Sequence, residues 1–321
     1  MPIVDLPLSE LAVYEGRNPR PDDHELYWTQ ALLELGRVQA DVKIDPVAHP
    51  ATFAECFDLT FTGVRGARLY AKYLRPERPS RKKRPGLAVF HGYTMASPAW
   101  FELLPYVAQG YSVVAMDCRG QGGRSQDPGG VPGTTVSGHI VRGLGEEPRD
   151  LLYRQIFLDA VQATRILMDM PEVDGGRVGV AGASQGGGLA LATAALETRV
   201  KAAVAVYPFL CDYQRVWEMD LANEAYAELR EYLRRFDPTH EHMEQMFTTL
   251  GYIDVQHLAP RVWADVLMAT GLMDTVCPPS TQFAAYNRIM SRKEQVIYPD
   301  FGHEDLPGMA DRAMTFFAER L

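Results

Sequence analysis

Cysteine is scarce in this chain. The four that occur, Cys56, Cys118, Cys211 and Cys277, lie far apart, with no CxxC pair and no Cys/His ligand spacing. That pattern excludes a zinc-ribbon arrangement and a disulfide framework as organising principles. Separate thiols fit a reducing compartment, so a cytoplasmic location is expected. Positive charge is also in deficit. The 32 Lys and Arg against 41 Asp and Glu leave a formal net charge of −9, which argues against a nucleic-acid surface. The one basic run, Arg81-Lys82-Lys83-Arg84, sits between Pro79 and Pro85 just before an apolar stretch, where an exposed loop accounts for it. No apolar run approaches the ~18 residues that read as a membrane span. The most apolar stretch, Ala202 to Leu210, is short and contains Pro208. The start, Met1 to Pro7, lacks a basic segment followed by an apolar one, so no secretory signal is expected. Internal repeats and low-complexity tracts are absent. What the chain does have is apolar material, 46% of 321 residues, ample for the core of one large domain with insertions.

The pattern along the chain changes once. Asp22 to Leu35 is amphipathic and predicts a helix, with Leu26, Trp28, Leu32 and Leu33 among charges. Ala54 to Phe61 and Ala67 to Leu74 predict an antiparallel pair of strands joined through Gly63 to Gly66. From Gly86 onward strands and helices alternate, the signature of a mostly parallel sheet with helices on both faces. The predicted strands are Leu87–Phe90, Ser112–Met116, Arg177–Ala181, Lys201–Val206, Val266–Thr270 and Glu294–Tyr298. The clearest helix between them is Arg149 to Met170. Two segments interrupt the rhythm. Gln121 to Glu147 is Gly-rich and predicts a long loop beside a site. Tyr207 to Trp263 carries helical patterns such as Asn223 to Arg235 and predicts a helical insertion capping a pocket.

Gly182-Ala183-Ser184-Gln185-Gly186 fits Gly-x-Ser-x-Gly. A strand pattern precedes it and a helix pattern follows, the context in which this pentapeptide forms a sharp turn presenting the Ser hydroxyl. A Cβ at either flanking glycine would collide with the neighbouring backbone. Serine is a poor nucleophile and needs a base, usually His, oriented by a carboxylate. Where such a Ser follows a central strand, the chain order is Ser, acid, His. Asp274 follows the strand Val266–Thr270, and His303 follows Glu294–Tyr298. Both lie past strand carboxyl ends, where open α/β sheets place their sites. Ser184, Asp274 and His303 are therefore the candidate catalytic residues. Asp300, three residues before His303, competes as a turn residue or a different carboxylate partner. Asp265 precedes its strand and is expected at the wrong edge of the sheet, and Glu304 is expected to point elsewhere. The candidate oxyanion donors are the backbone N–H groups of Gln185 and Tyr93, the latter in the loop after Gly86–Phe90. His91 is read as shaping that loop. The remaining histidines are read as surface or packing residues. A Gly-rich turn without chemistry is the alternative to all of this.

Three ordered motifs give the chain a resemblance. Arg119-Gly120-Gln121-Gly122-Gly123-Arg124-Ser125-Gln126-Asp127 is similar to RGQGxSxQD, with one extra residue before Ser125. Gly182 to Gly187 matches GxSQGG, and His303-Glu304 matches a closing HE. The chain resembles the α/β-hydrolases and, within them, the family of acetyl xylan esterases and cephalosporin C deacetylases, over essentially its whole length. The resemblance implies hydrolysis of acetyl esters on small sugars such as xylo-oligosaccharides, and of 3′-acetyl cephalosporins. It implies no metal and no organic cofactor, and a homo-oligomer, hexamers being common in that family. Arg119 and Asp127, at the two ends of the Gly-rich loop, are expected to pair and brace it rather than act chemically. A general carboxylesterase, a serine peptidase of the same fold and a catalytically silent fold remain as other readings.

Overall fold

The computed structural model describes residues 4–78, 82–127 and 135–321. Met1 to Ile3, Arg81 of the basic run and 128–134 of the Gly-rich segment lie outside them. One nine-stranded sheet runs through the structure, built from β1 (Lys43–Val47), β2 (Ala54–Thr62), β3 (Arg68–Pro76), β4 (Arg84–Phe90), β5 (Ser112–Met116), β6 (Val173–Ala183), β7 (Ala202–Val206), β8 (Asp265–Gly271) and β9 (Lys293–Tyr298). Its order is β1-β2-β3-β5-β4-β6-β7-β8-β9. The pairs β1–β2, β2–β3 and β3–β5 are antiparallel. Every pair from β5 to β9 is parallel. The composition follows the geometry. Parallel strands covered on both faces read as continuous apolar runs, and β5 and β7, SVVAM and AAVAV, are almost wholly buried. β1, which the sequence pattern does not predict, is an exposed edge strand containing Pro46, a residue that only an edge tolerates because it cannot donate to the ladder.

The α-helices among the described residues are α1 (Leu8–Leu11), α2 (His24–Leu35), α3 (Trp100–Ala108), α4 (Leu152–Met168), α5 (Gln185–Leu196), α6 (Tyr213–Glu218), α7 (Ala227–Phe236), α8 (Met243–Leu250), α9 (Val255–Leu258), α10 (Pro279–Arg288) and α11 (Met309–Arg320). The sheet alternation sorts side chains into two apolar layers. Ala88, Phe90, Val178 and Val180 face α4 and α5, while Leu87, Val113, Ala181 and Val204 face α3 and α11. α4 is buried along nearly its whole length, so its polar members must find partners. Gln162 donates to Thr62 O at 2.9 Å and Gln155 to Arg149 O at 2.8 Å. The N-terminal helix α2 closes this face, where Trp28 stacks on Phe157 of α4 at 5.8 Å and donates to Tyr252 O at 2.9 Å. Residues 207–263 carry α6 to α9, and they divide. Tyr207, Glu224 and Ala225 reach the pocket, whereas α9 packs against α5 and α10 on the flank of the sheet.

Candidate active site

The turn after β6 is built by exclusion. Ser184 has φ 56° and ψ −121°, a conformation that costs an L-residue energy and persists only where the surroundings impose it. Its N–H donates to Val206 O at 2.9 Å, and its carbonyl accepts from Phe209 N–H at 3.0 Å. Neighbouring strand and loop thus hold the strained residue from both sides. A Cβ on Gly182 would lie 2.3 Å from Gly186 C, and one on Gly186 would lie 2.1 Å from Phe90 O. Backbone fills both positions, so only glycine fits.

His303 Nε2 lies 3.0 Å from Ser184 Oγ, and its Nδ1 lies 2.9 Å from Asp274 Oδ2. With Nδ1–H donating to the carboxylate, Nε2 is left as an acceptor facing the hydroxyl, the arrangement a general base requires. Asp274 is fully buried. Its Oδ1 accepts the N–H groups of Val276 at 2.9 Å and Cys277 at 2.8 Å, so it has few ways to turn. Tyr207 lies against the imidazole with ring centroids 4.4 Å apart. The competing carboxylates are elsewhere. Asp265 pairs with Arg320 at 2.8 Å, Glu304 accepts from Gly302 N–H at 3.0 Å, and Asp300 is exposed.

Opposite His303 the loop after β4 is fixed at each residue. His91 Nε2 accepts from Cys118 N–H at 2.9 Å, and its Nδ1 donates to Gly92 O at 2.7 Å. Burial pushes its basicity down, consistent with a neutral ring that joins the loops after β4 and β5. Gln121 Oε1 accepts from Thr94 N–H at 3.0 Å. Gln121 and Gln185 exchange side-chain amide hydrogen bonds at 2.8 and 3.0 Å, and Tyr153 donates to Gln185 Oε1 at 2.7 Å. Between these anchors the backbone N–H groups of Tyr93 and Gln185 donate to no other group among the described residues. Tyr93 is among the residues that line the pocket, and its phenol donates to the Glu228 carboxylate of α7. Sequence reasoning missed Gln121, His139, Tyr153 and Glu228. Only Gln121 carried a signal, its place in the Gly-rich motif.

The cleft over Ser184 holds about 720 Å³ and is bordered by Tyr93, Met95, Tyr207, Glu224 and His303. That is in the range of small-molecule sites. Among the described residues one set of donor atoms comes close enough to share a cation, Asp274, Cys277 and His303, within 4.8 Å of one another. Both His303 nitrogens already have partners, and burial raises the Cys277 thiol well above its usual range, so it stays protonated. The set fits hydrolytic chemistry better than a metal centre.

A family model described as acetyl xylan esterase (AXE1) matches residues 1–321. The chain belongs to the acetyl xylan esterase family. Acetyl xylan esterase 1 from Thermoanaerobacterium sp. JW/SL YS485 is 55% identical, with 98% of this chain and 99% of that one covered and a TM-score of 0.94. Acetyl xylan esterase from Paenibacillus sp. R4 is 35% identical, over 98% of this chain and all of that one, with a TM-score of 0.93. The acetyl esterase Axe7A of Xylanibacter ruminicola is 28% identical over 289 residues, 87% of this chain. The chain spans only 62% of that relative's length. The fold is that of an α/β-hydrolase.

Within this family member the Gly-rich motif departs from expectation at its ends. Arg119 and Asp127 do not pair. The Arg119 guanidinium is fully buried and binds Asp159 of α4 through two hydrogen bonds of 2.6 Å, with a third to Val64 O at 3.1 Å. Asp127 instead pairs with Arg142, on the far side of the same loop. The reason is burial. A guanidinium under the sheet needs a partner that is also under the sheet, and α4 supplies one. The extra residue in the motif is absorbed at Arg124, whose side chain lies outside, paired with Asp58 at 2.7 Å and over the Tyr70 ring at 4.0 Å. Ser125 stays buried, donating to Asp117 O at 2.7 Å and accepting from Tyr70 N–H at 2.9 Å.

Proposed function

We propose that this chain is a serine esterase that removes acetyl groups from small acetylated sugars such as xylo-oligosaccharides. The observation that carries the reading is the single imidazole bridging Ser184 Oγ at 3.0 Å and the buried Asp274 carboxylate at 2.9 Å, at the floor of an open cleft. His303 takes the Ser184 proton as Oγ attacks the acetyl carbonyl. The Tyr93 and Gln185 N–H groups receive the developing oxyanion; each such donor is worth ~3 kcal/mol of barrier. His303 returns the proton to the leaving sugar oxygen, then activates the water that hydrolyses acetyl-Ser184. Asp274 keeps the ring in the tautomer this requires. The family match supports the acetyl ester as substrate. 3′-Acetyl cephalosporins fall within the same reading because the reacting atoms are the same and the cleft is open.

Two further expectations belong to this reading. Four buried, unpaired thiols support work in a reducing compartment such as the cytoplasm. Trp263 and Met290 are both largely exposed, and their neighbours Ala264 and Ser291 are joined by a 2.7 Å hydrogen bond; large apolar side chains left in solvent support a homo-oligomer. The test of the catalytic reading is hydrolysis of p-nitrophenyl esters from acetate to octanoate, with Ser184→Ala as control. Fast acetate turnover that collapses by butyrate and vanishes in the variant is expected. Rates that rise with chain length would point to a general carboxylesterase, and activity that survives Ser184→Ala would overturn the mechanism.

A further inference from the structure

The side chain of Tyr93 is held by something that an oxyanion donor does not itself require. Its phenol donates to Glu228, in the first turn of α7. Glu228 is 6% exposed, and no Lys or Arg pairs with it among the described residues. Its second oxygen accepts the N–H groups of Ile140 at 2.7 Å and Val141 at 3.0 Å. His139 closes the group, with its backbone N–H 3.4 Å and its ring Nδ1 3.2 Å from the phenol oxygen. The His139 ring packs edge-on against Tyr93 at 5.3 Å, and Phe209 packs on the other side at 5.4 Å.

Burying a carboxylate is costly unless it is fully hydrogen-bonded, and apolar packing could have held α7 at no such cost. What the carboxylate adds is direction. It ties one point on α7 to one atom of Tyr93 and to Ile140 and Val141 in the later part of the Gly-rich segment. On the other side of Tyr93 the backbone is already fixed, through His91 to Cys118 N–H and through Thr94 N–H to Gln121. The phenol contact therefore removes the remaining freedom, rotation of the residue between two clamped neighbours.

We propose that Glu228 is a positioning residue of the oxyanion hole, which through the Tyr93 phenol sets the aim of the Tyr93 peptide N–H. The inference rests on the oxyanion role given to Tyr93 above. It gives helix α7 a part in the catalytic apparatus although Glu228 itself does not line the pocket. An error of about 1 Å in such a group can cost up to ~100-fold in rate.

The experiment compares Tyr93→Phe, Glu228→Ala, Glu228→Gln and the Tyr93→Phe/Glu228→Ala double variant, using p-nitrophenyl acetate. Tyr93→Phe keeps the peptide N–H and removes only the anchor. The expected result is a kcat lower by ~10- to 100-fold in Tyr93→Phe and Glu228→Ala, with KM within about twofold of wild type. The double variant should be no slower than the slower single one, because both break the same contact. Glu228→Gln should recover most of kcat, since its amide oxygen can take the Ile140 and Val141 N–H groups and its nitrogen can meet the phenol. If Glu228→Ala does not fold, Tyr93→Phe and Glu228→Gln carry the test alone. Full kcat in folded Tyr93→Phe, a loss confined to KM, or losses that multiply in the double variant would each overturn the proposal. Failure of the underlying esterase reading shows separately, as wild-type turnover that Ser184→Ala does not abolish.

Discussion

Replacing Arg119 with methionine should cost this fold more than almost any other single change of charge. The guanidinium and the Asp159 carboxylate are both completely buried and joined by two 2.6 Å hydrogen bonds. Arg119→Met leaves the carboxylate in place with no cation and little room for water. A Cβ built on Gly63 would already come within 2.5 Å of Asp159 Oδ1. Breaking a buried pair from one side costs about 3–5 kcal/mol, because the remaining charge must be neutralised or hydrated. Removing both charges with groups of similar volume is often neutral. The prediction is therefore a sign pattern as well as a size. Arg119→Met and Asp159→Leu should each lose about 3–5 kcal/mol, and the double variant should recover most of that. Urea unfolding followed by tryptophan fluorescence reads it directly, since Trp28 stacks on Phe157, two residues before Asp159. A single-variant loss below ~1 kcal/mol, the range of exposed pairs, would refute the reasoning. So would a double variant that loses as much as the two singles summed.

Other expectations follow from the same geometry. Gly186→Ala should yield insoluble protein or a kcat at least ~100-fold lower. The new methyl meets Phe90 O at 2.1 Å, although alanine favours a helix interior by about 1 kcal/mol; soluble, fully active protein would sink the argument that backbone fills that space. His257, at 2% exposure, has its pKa pushed down to about 4 by burial and by nearby Arg288. The unfolded chain takes up this proton near pH 6.5 and the folded chain only near pH 4, so stability falls as pH drops through that window, by roughly 3 kcal/mol. Asp254, raised to about 7 by burial and by Asp212, acts with the opposite sign. It is common to both proteins, so the comparison of wild type with His257→Gln isolates the histidine. The variant should gain relative to wild type from pH 7 to pH 4 in urea unfolding, and parallel profiles would contradict the assignment.

The strands were legible because each central one is a short, uninterrupted apolar run ending in a turn. β1 was not, because a five-residue strand with Pro46 and two charges looks like loop and is held only by pairing with β2. The start of β6 was missed for a related reason. Asp174-Gly175-Gly176 reads as a turn, yet it belongs to the strand, where the register with β4 shifts. Positions past strand ends put Ser184, Asp274 and His303 within reach of one another on the page, because topology alone converges those ends. Partner choice does not follow from spacing. Arg119 and Asp127 share one loop, but Arg119 turns to Asp159, 40 residues on. The hint was there in another form: Asp159 is the one carboxylate of α4, set among Phe157, Leu158, Ala160 and Val161, a position that needs a buried cation. Glu228 offered no such hint, sitting in a helix with four other charged residues, three of them exposed.

His303 follows β9, and β9 pairs with β8 alone. The base is therefore hung from the outermost strand of the sheet, while the nucleophile is rooted at its centre. Local opening needs least free energy at such an edge. Warming the protein should silence hydrolysis before the centre of the sheet melts, so that activity is a gauge of one strand's attachment rather than of the whole fold.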